Sequence, residues 1–189
     1  METRVFRSYE ERKDEFTRVF KPLLGEEVVE DMIERGFLTA PASTKYHGNY
    51  AGGLFDHSYN VALQLQELTD NNKLTWKTPH SPMIVGILHD LCKIDQYKEV
   101  VDAADGDRAC SHYEYNNDVI VKGHGMKSVL YAQFFGIRLS DEEIACMIYH
   151  MGAFTDKEEW KDYTAAVHKF PNVLWTHTAD MIVSHIMGV

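Results

Sequence analysis

The sequence predicts an all-α fold, a helical bundle carrying one small antiparallel β-meander insertion, and three observations predict it. Apolar residues recur at spacings of three and four over most of the chain, and helix start and stop residues bracket those stretches. The pattern switches to a β-type reading only once, between about 97 and 122. With 189 residues and no internal repeat or low-complexity linker, one domain is expected. Its parts are an N-terminal helical cover over 1–38, a helical core over 40–187 and the β insertion over 97–122.

Taken in order, residues 8–20 and 24–36 read as two amphipathic helices. Phe16, Val19 and Phe20 form the apolar side of the first, and Val28, Val29, Met32 and Ile33 that of the second, which stops at Gly36. The Gly, Ser, Thr and Pro content of 39–53 predicts an ordered loop. From Leu54 to Thr69 the residues Leu54, His57, Val61, Leu65 and Leu68 share one helix stripe, which places an imidazole on a buried face. Pro82 opens PMIVGILHDLCKI, apolar almost all round and therefore a helix through the middle of the domain. An ionised Asp90 inside such a helix costs several kcal/mol unless it is paired or metal-bound.

The insertion reads as YKEVV, a turn at AADGD, then ACSHYEY, an Asn-Asn turn and DVIVK. Helices resume at 125–136 and at 141–150, the latter with a Ser140/Glu143 capping box. Pro171 opens a last helix to about Met187 that carries Asp180.

A net charge of −10 and a pI near 5.4 argue against a protein that wraps long nucleic acid with a basic face. A small anionic substrate stays open, because a metal charge can dominate a pocket locally. No apolar run is long enough to cross a bilayer, and the N-terminus is charged where a signal peptide is apolar. No membrane association and a cytoplasmic location are therefore expected. Cys92, Cys110 and Cys146 are odd in number and lack CxxC spacing, so buried free thiols are expected rather than disulfides or a zinc ribbon.

Ten histidines are present, and half of them fall at helix ends or inside apolar helices. His57, the pair His89 and Asp90, His124, His150 and Asp180 lie one per helix or helix start, an arrangement by which a bundle converges side chains on an ion. In the segments HGNYAGGLFDHSYNVA (47–62), ILHDLCK (87–93), GHGMKS (123–128), YHMG (149–152) and HTAD (177–180), the chain resembles the HD-domain superfamily of metal-dependent phosphohydrolases. The resemblance covers roughly residues 40–187, and the order H…HD…H…H…D is what makes it specific.

The resemblance implies His57, His89, Asp90 and Asp180 as the basic metal set, with Asp90 bridging two ions and His124 and His150 completing a second site. The implied cofactors are two divalent transition metal ions, since imidazole and carboxylate ligands suit Fe, Mn, Co, Ni and Zn alike. Two such cations, two aspartates and a bridging hydroxide leave net positive charge that attracts phosphate, and that hydroxide is the implied nucleophile. The implied partner is a small-molecule phosphoester, a nucleotide first among candidates.

Other readings accompany this one. Some members of the superfamily use the same ligand order as diiron oxygenases, and a non-catalytic module that only binds a nucleotide is a third class. Lys93, one turn beyond His89 and Asp90, is a candidate to act on the substrate phosphate. Lys127 and Ser128 at a helix start form a candidate anion-binding element, and His47, with Lys45, sits on the loop where it can close the pocket or protonate a leaving group. His177, three residues before Asp180, is a candidate to orient that ligand from behind. Tyr46, Tyr50 and Phe55 are candidates for stacking on a base. His80, His112, His168 and His185 read as structural or surface residues.

Overall fold

A computed structural model of the chain describes residues 3–102 and 111–189. Ser8 starts α1 (Tyr9–Leu24) by accepting from the Glu11 N–H, and Gly25, at φ 97°, turns the chain into α2 (Glu26–Glu34). Phe16 and Phe20 of α1 and Val29 and Met32 of α2 are fully buried, so each helix of the cover presents one face to the core. Their anchor on α3 (Gly53–Asn72) is a buried fork: Arg12 Nε and Nη2 donate to Asp56 Oδ1 and Oδ2 at 2.9 and 2.8 Å. Tyr50 Oη adds a third bond to the same carboxylate, at 2.9 Å.

The core collects Leu54, Val61 and Leu65 of α3, Val85, Ile87 and Leu88 of α4 (Ser81–Leu88), and Val173 and Ala179 of α8 (Asn172–Met181). α3 packs against α4 and α8, and α5 (Gly125–Phe134) against α6 (Asp141–Tyr149), which in turn meets α8. The Ser140/Glu143 capping box is formed. An additional amphipathic helix, α7 (Trp160–Lys169), covers part of α6 and α8. No helix among the described residues is long and apolar enough to cross a membrane.

Two glycines set the closeness of this packing. A Cβ on Gly86 would lie 2.3 Å from Ala62 Cα, so α4 and α3 touch backbone to backbone there. A Cβ on Gly125 would lie 2.4 Å from Ile148 O and Met147 O, and α5 meets α6 in the same way.

Besides α7, for which the sequence reading gives no helix, the structure departs from that reading in three places. The segment 82–94 is not one helix: α4 stops at Leu88 and a tight 3₁₀ turn follows over Leu91–Ile94. Lys93 N bonds Asp90 O at 2.9 Å, while Cys92 N is taken by Ser128 Oγ at 3.1 Å instead of by a helix carbonyl, which shortens the turn. The last helix likewise loosens after Asp180, from α8 into a π-helical turn over Ile182–Met187.

The insertion is a two-stranded hairpin rather than a three-stranded meander. β1 (Tyr97–Val101) pairs antiparallel with β2 (Ser111–Tyr115), Tyr97 opposite Tyr115 and Val101 opposite Ser111. The expected third strand at 118–122 does not form. Asn116 N closes the ladder on Gln96 O, and Asn116 Oδ1 then accepts from Asp118 N, an Asx turn that sends the chain away toward α5 and leaves Ile120 94% exposed. The turn expected at 103–107, and Cys110, lie outside the described residues.

Candidate metal centre

Six side chains arrive at one point from five different elements. His57 comes from the first turn of α3, His89 and Asp90 from the end of α4, His124 from the residue before α5, His150 from the residue after α6, and Asp180 from α8. His57, His89 and His150 are fully buried and Asp90 is 2% exposed.

Asp90 stands in the middle, and its two oxygens face different partners. On the Oδ2 side, His57 Nε2 lies at 3.5 Å and His89 Nε2 at 3.4 Å, with Asp180 Oδ1 3.2 Å from His57 Nε2 and 4.0 Å from His89 Nε2. On the Oδ1 side, His124 Nε2 lies at 2.9 Å and His150 Nε2 at 3.6 Å, the two imidazole nitrogens being 3.0 Å apart. Ligands about 2.0–2.2 Å from a transition metal stand roughly 3–3.5 Å from each other, which is the separation most of these atoms show.

The far sides of the rings fix which nitrogen faces inward. His57 Nδ1 donates to Val189 O at 2.8 Å, His89 Nδ1 to Gly86 O at 2.8 Å and His150 Nδ1 to Met147 O at 2.7 Å. With Nδ1 occupied in this way, each ring turns its Nε2 toward the cluster. His57 Nε2 and His89 Nε2 find no hydrogen-bond partner among the described residues. Buried lone pairs left facing one another are costly, and a cation placed among them would satisfy them. The ligand atoms of His57, His89 and Asp180, and those of His89, Asp90 and His150, lie close enough to hold a metal ion.

The charges agree with that arrangement. Burial would raise the Asp90 carboxyl, yet the Lys93 ammonium with His89 and His124 outweighs it and holds the group well below the usual carboxylate range. Asp180 is likewise held down against its burial, chiefly by His57. Burial lowers His89 to about 3 and also lowers His124, so both rings are neutral at neutral pH. At His150 the Asp90 carboxylate overrides burial and the ring is raised.

Above the cluster opens a cavity of about 390 Å³ whose floor is Asp90, Lys93, His124 and Asp180. Lys93 Nζ donates to Asp90 Oδ2 at 2.6 Å, and the 3₁₀ turn keeps it on the carboxylate's side despite the broken helix. His47 lines the same cavity, its ring 4.8 Å from that of His57, and burial lowers it to about 4. His177 lines it as well, but its Nδ1 donates to His150 O at 2.7 Å, so it braces the chain behind His150 rather than Asp180.

Lys127 and Ser128 are not brought into the cavity. Lys127 is buried and its Nζ donates to Asp95 Oδ1 at 2.7 Å, while Ser128 Oγ accepts from Cys92 N. Lys45 is exposed. Nor do the expected stacking residues line it: Tyr46 is 80% exposed, Tyr50 is bonded to Asp56, and Phe55 is buried among Phe6, Phe16 and Phe37.

Several lining residues escaped the sequence reading: Gln96, Tyr97 and Tyr115 at the root of the hairpin, Phe154 after α6, and His185 in the π-helical turn. Cys92, read only as a buried thiol, places Sγ 3.4 Å from His124 Nδ1. Burial pushes that thiol up to about 12 in the metal-free chain, and Cys92, Asp90 and His124 form a third group whose ligand atoms lie close enough to hold a metal ion. The HDxxK spacing carries Lys93; no local pattern carries the others, because hairpin register and chain reversal bring them in.

No family model matches this chain, and no curated protein or solved structure matches it either.

Proposed function

We propose that the chain is a metal-dependent phosphohydrolase that cleaves a phosphoester of a small molecule, the activity implied by its motif resemblance to the HD-domain superfamily. The observation that carries the reading is the division of Asp90, one oxygen facing His57 and His89 and the other facing His124 and His150. A carboxylate so placed suits two ions: His57, His89 and Asp180 with Asp90 Oδ2 would hold one, and His124 and His150 with Asp90 Oδ1 the other.

Two divalent ions in such a site supply an activated water and positive charge toward phosphoryl oxygens. The chain's own residues do the rest. The Nδ1 bonds to Val189, Gly86 and Met147 hold the imidazoles in the ligating tautomer. Lys93 keeps its proton, because Asp90 outweighs the effect of burial, and its remaining N–H groups reach the cavity floor where a phosphoryl oxygen is received. His47, neutral at pH 7, packs over His57 and limits water on that side.

The test is elemental analysis of the purified protein beside Asp90→Ala, followed by a phosphoester screen with Mn²⁺ under anaerobic conditions. About two ions per chain, lost in the variant together with hydrolysis, is the expected result. Retained turnover in Asp90→Ala overturns the reading. Oxygen consumption by the iron-loaded protein, with no anaerobic hydrolysis, replaces it with the oxygenase chemistry of the same ligand order.

A further inference from the structure

Among the described residues, β1, β2 and Phe154 contribute no side chain to the hydrophobic core. Tyr97 and Tyr115 sit directly opposite each other at the hairpin's root, ring centroids 5.2 Å apart in an edge-on pair. Phe154 reaches the same cavity from the turn after α6, its ring 6.4 Å from that of His177. Tyr115 is 62% and Phe154 66% exposed, unusual for large rings held in the wall of a cavity whose floor is charged.

Such a cavity is amphipathic: Lys93 and the metal-ligand cluster make its floor, and ring faces and the Met151 and Met181 side chains make its walls. An anion alone would engage the floor and leave the aromatic wall in water. A planar ring attached to that anion covers the wall too, through edge and face contacts that favour flat, polarizable groups over ring-free polyols. The volume of about 390 Å³ lies within the range of small-molecule sites. Gln96 Nε2 donates to Tyr97 Oη at 3.1 Å, which fixes the orientation of that tyrosine at the wall.

We propose that Tyr97, Tyr115 and Phe154 form a subsite for a planar ring, so that the molecule received in the cavity carries an aromatic or heteroaromatic group on its phosphoester. The phosphoester part rests on the hydrolase reading above; the ring subsite stands on the wall itself. Selectivity here lies in the hairpin and the turn after α6, outside the ligand motifs.

Two measurements test it. In the first, metal-stripped protein is titrated with adenosine, phenol and ribose by isothermal titration calorimetry. Adenosine or phenol is expected to bind at least about tenfold more tightly than ribose, and Tyr115→Ala and Phe154→Ala each to remove most of that difference. The balance between adenosine and phenol tells a nucleobase from a simple aryl group. Ribose binding as well as both rings, or ring binding unchanged in both variants, overturns the subsite. In the second, the metal-loaded protein is assayed on adenosine 5′-monophosphate, phenyl phosphate and glycerol 3-phosphate. The preference in kcat/KM for ring-bearing over ring-free ester is expected to fall about tenfold in Tyr115→Ala and to be restored in Tyr115→Phe. An unchanged preference overturns the proposal. Ring binding without any hydrolysis rejects the hydrolase reading and supports the subsite, so the two failures are distinct.

Discussion

Around His57 and His89 the chain is dry, both rings fully buried and both Nδ1 atoms bonded to carbonyls, whereas His124, 28% exposed at its side chain, faces the cavity and rests on a thiol 3.4 Å away. Both sides share Asp90, so the contrast lies in the surroundings. A ligand clamped behind and shielded in front loses little freedom when it binds an ion, and water competes for it poorly. On the two-ion reading proposed above, the His57 side would retain its ion and the His124 side would present one to whatever enters the cavity. Each side also depends on one close helix contact, Gly86 on Ala62 for the first and Gly125 on the 147–148 backbone for the second.

The largest effect is expected where the sides meet. Asp90→Ala removes the shared ligand and leaves Lys93 without its partner in a buried setting, so both ions and at least about 10³-fold of activity are lost, with a destabilisation of about 3–5 kcal/mol. Asp90→Asn keeps the shape and separates the two losses: denaturant unfolding recovers, metal content does not.

The contrast between sides is tested by His57→Ala against His124→Ala. Each is expected to retain about one ion by elemental analysis, and the ion kept by His124→Ala should resist a chelator longer, because its site is the buried one. Loss of both ions from His124→Ala would show that the sides fold as one unit and would remove the distinction.

The glycines give a smaller effect of the same form. Gly86→Ala and Gly125→Ala each force two backbones apart, at a cost of about 1–3 kcal/mol. The first should weaken the ion between His57 and His89, the second the ion between His124 and His150. Chelator-release rates paired with thermal unfolding read both quantities from one sample.

Most helix positions were legible in the sequence because each rests on a local rule, and the side chains that gather around Asp90 were singled out by the motif resemblance together with their place on apolar helices. Apolar spacing of three and four, Ser140 with Glu143, and an imidazole or carboxylate on an apolar stripe need no knowledge of what lies opposite. What escaped depends on distant partners. The break after Leu88 is made by Ser128 Oγ, thirty-six residues on, taking the Cys92 N–H. The absent third strand follows from Asn116 spending its side chain on Asp118 N and Asp95 O, and Lys127 is withdrawn from the anion-binding role by Asp95. The tyrosines of the loop before α3 line no part of the cavity, whose aromatic wall is created by the register that sets Tyr97 against Tyr115.

The smallest predicted effect concerns pH, and it also separates the two sides. Burial lowers His89 to about 3 and His47 to about 4, while both take a proton near pH 6.5 in the unfolded chain. Between pH 7 and 5 the unfolded state therefore binds more protons than the folded one, and metal-free protein loses stability as pH falls through that window. On the His124 side the contributions oppose: His124 is lowered and acts in the same sense, but His150 is raised, so its stabilisation is complete below pH 6.5 and fades as pH rises. The carboxylates Asp90 and Asp180, held low, add their loss only below about pH 4. The net expectation is a Tm that drops between pH 7 and 5 by a few degrees, at about 2–4 °C per kcal/mol for a domain of this size. His89→Ala should flatten that slope and His150→Ala should steepen it. Equal slopes in the two variants would mean that the sides titrate as one cluster, and the asymmetry drawn from their burial would not hold.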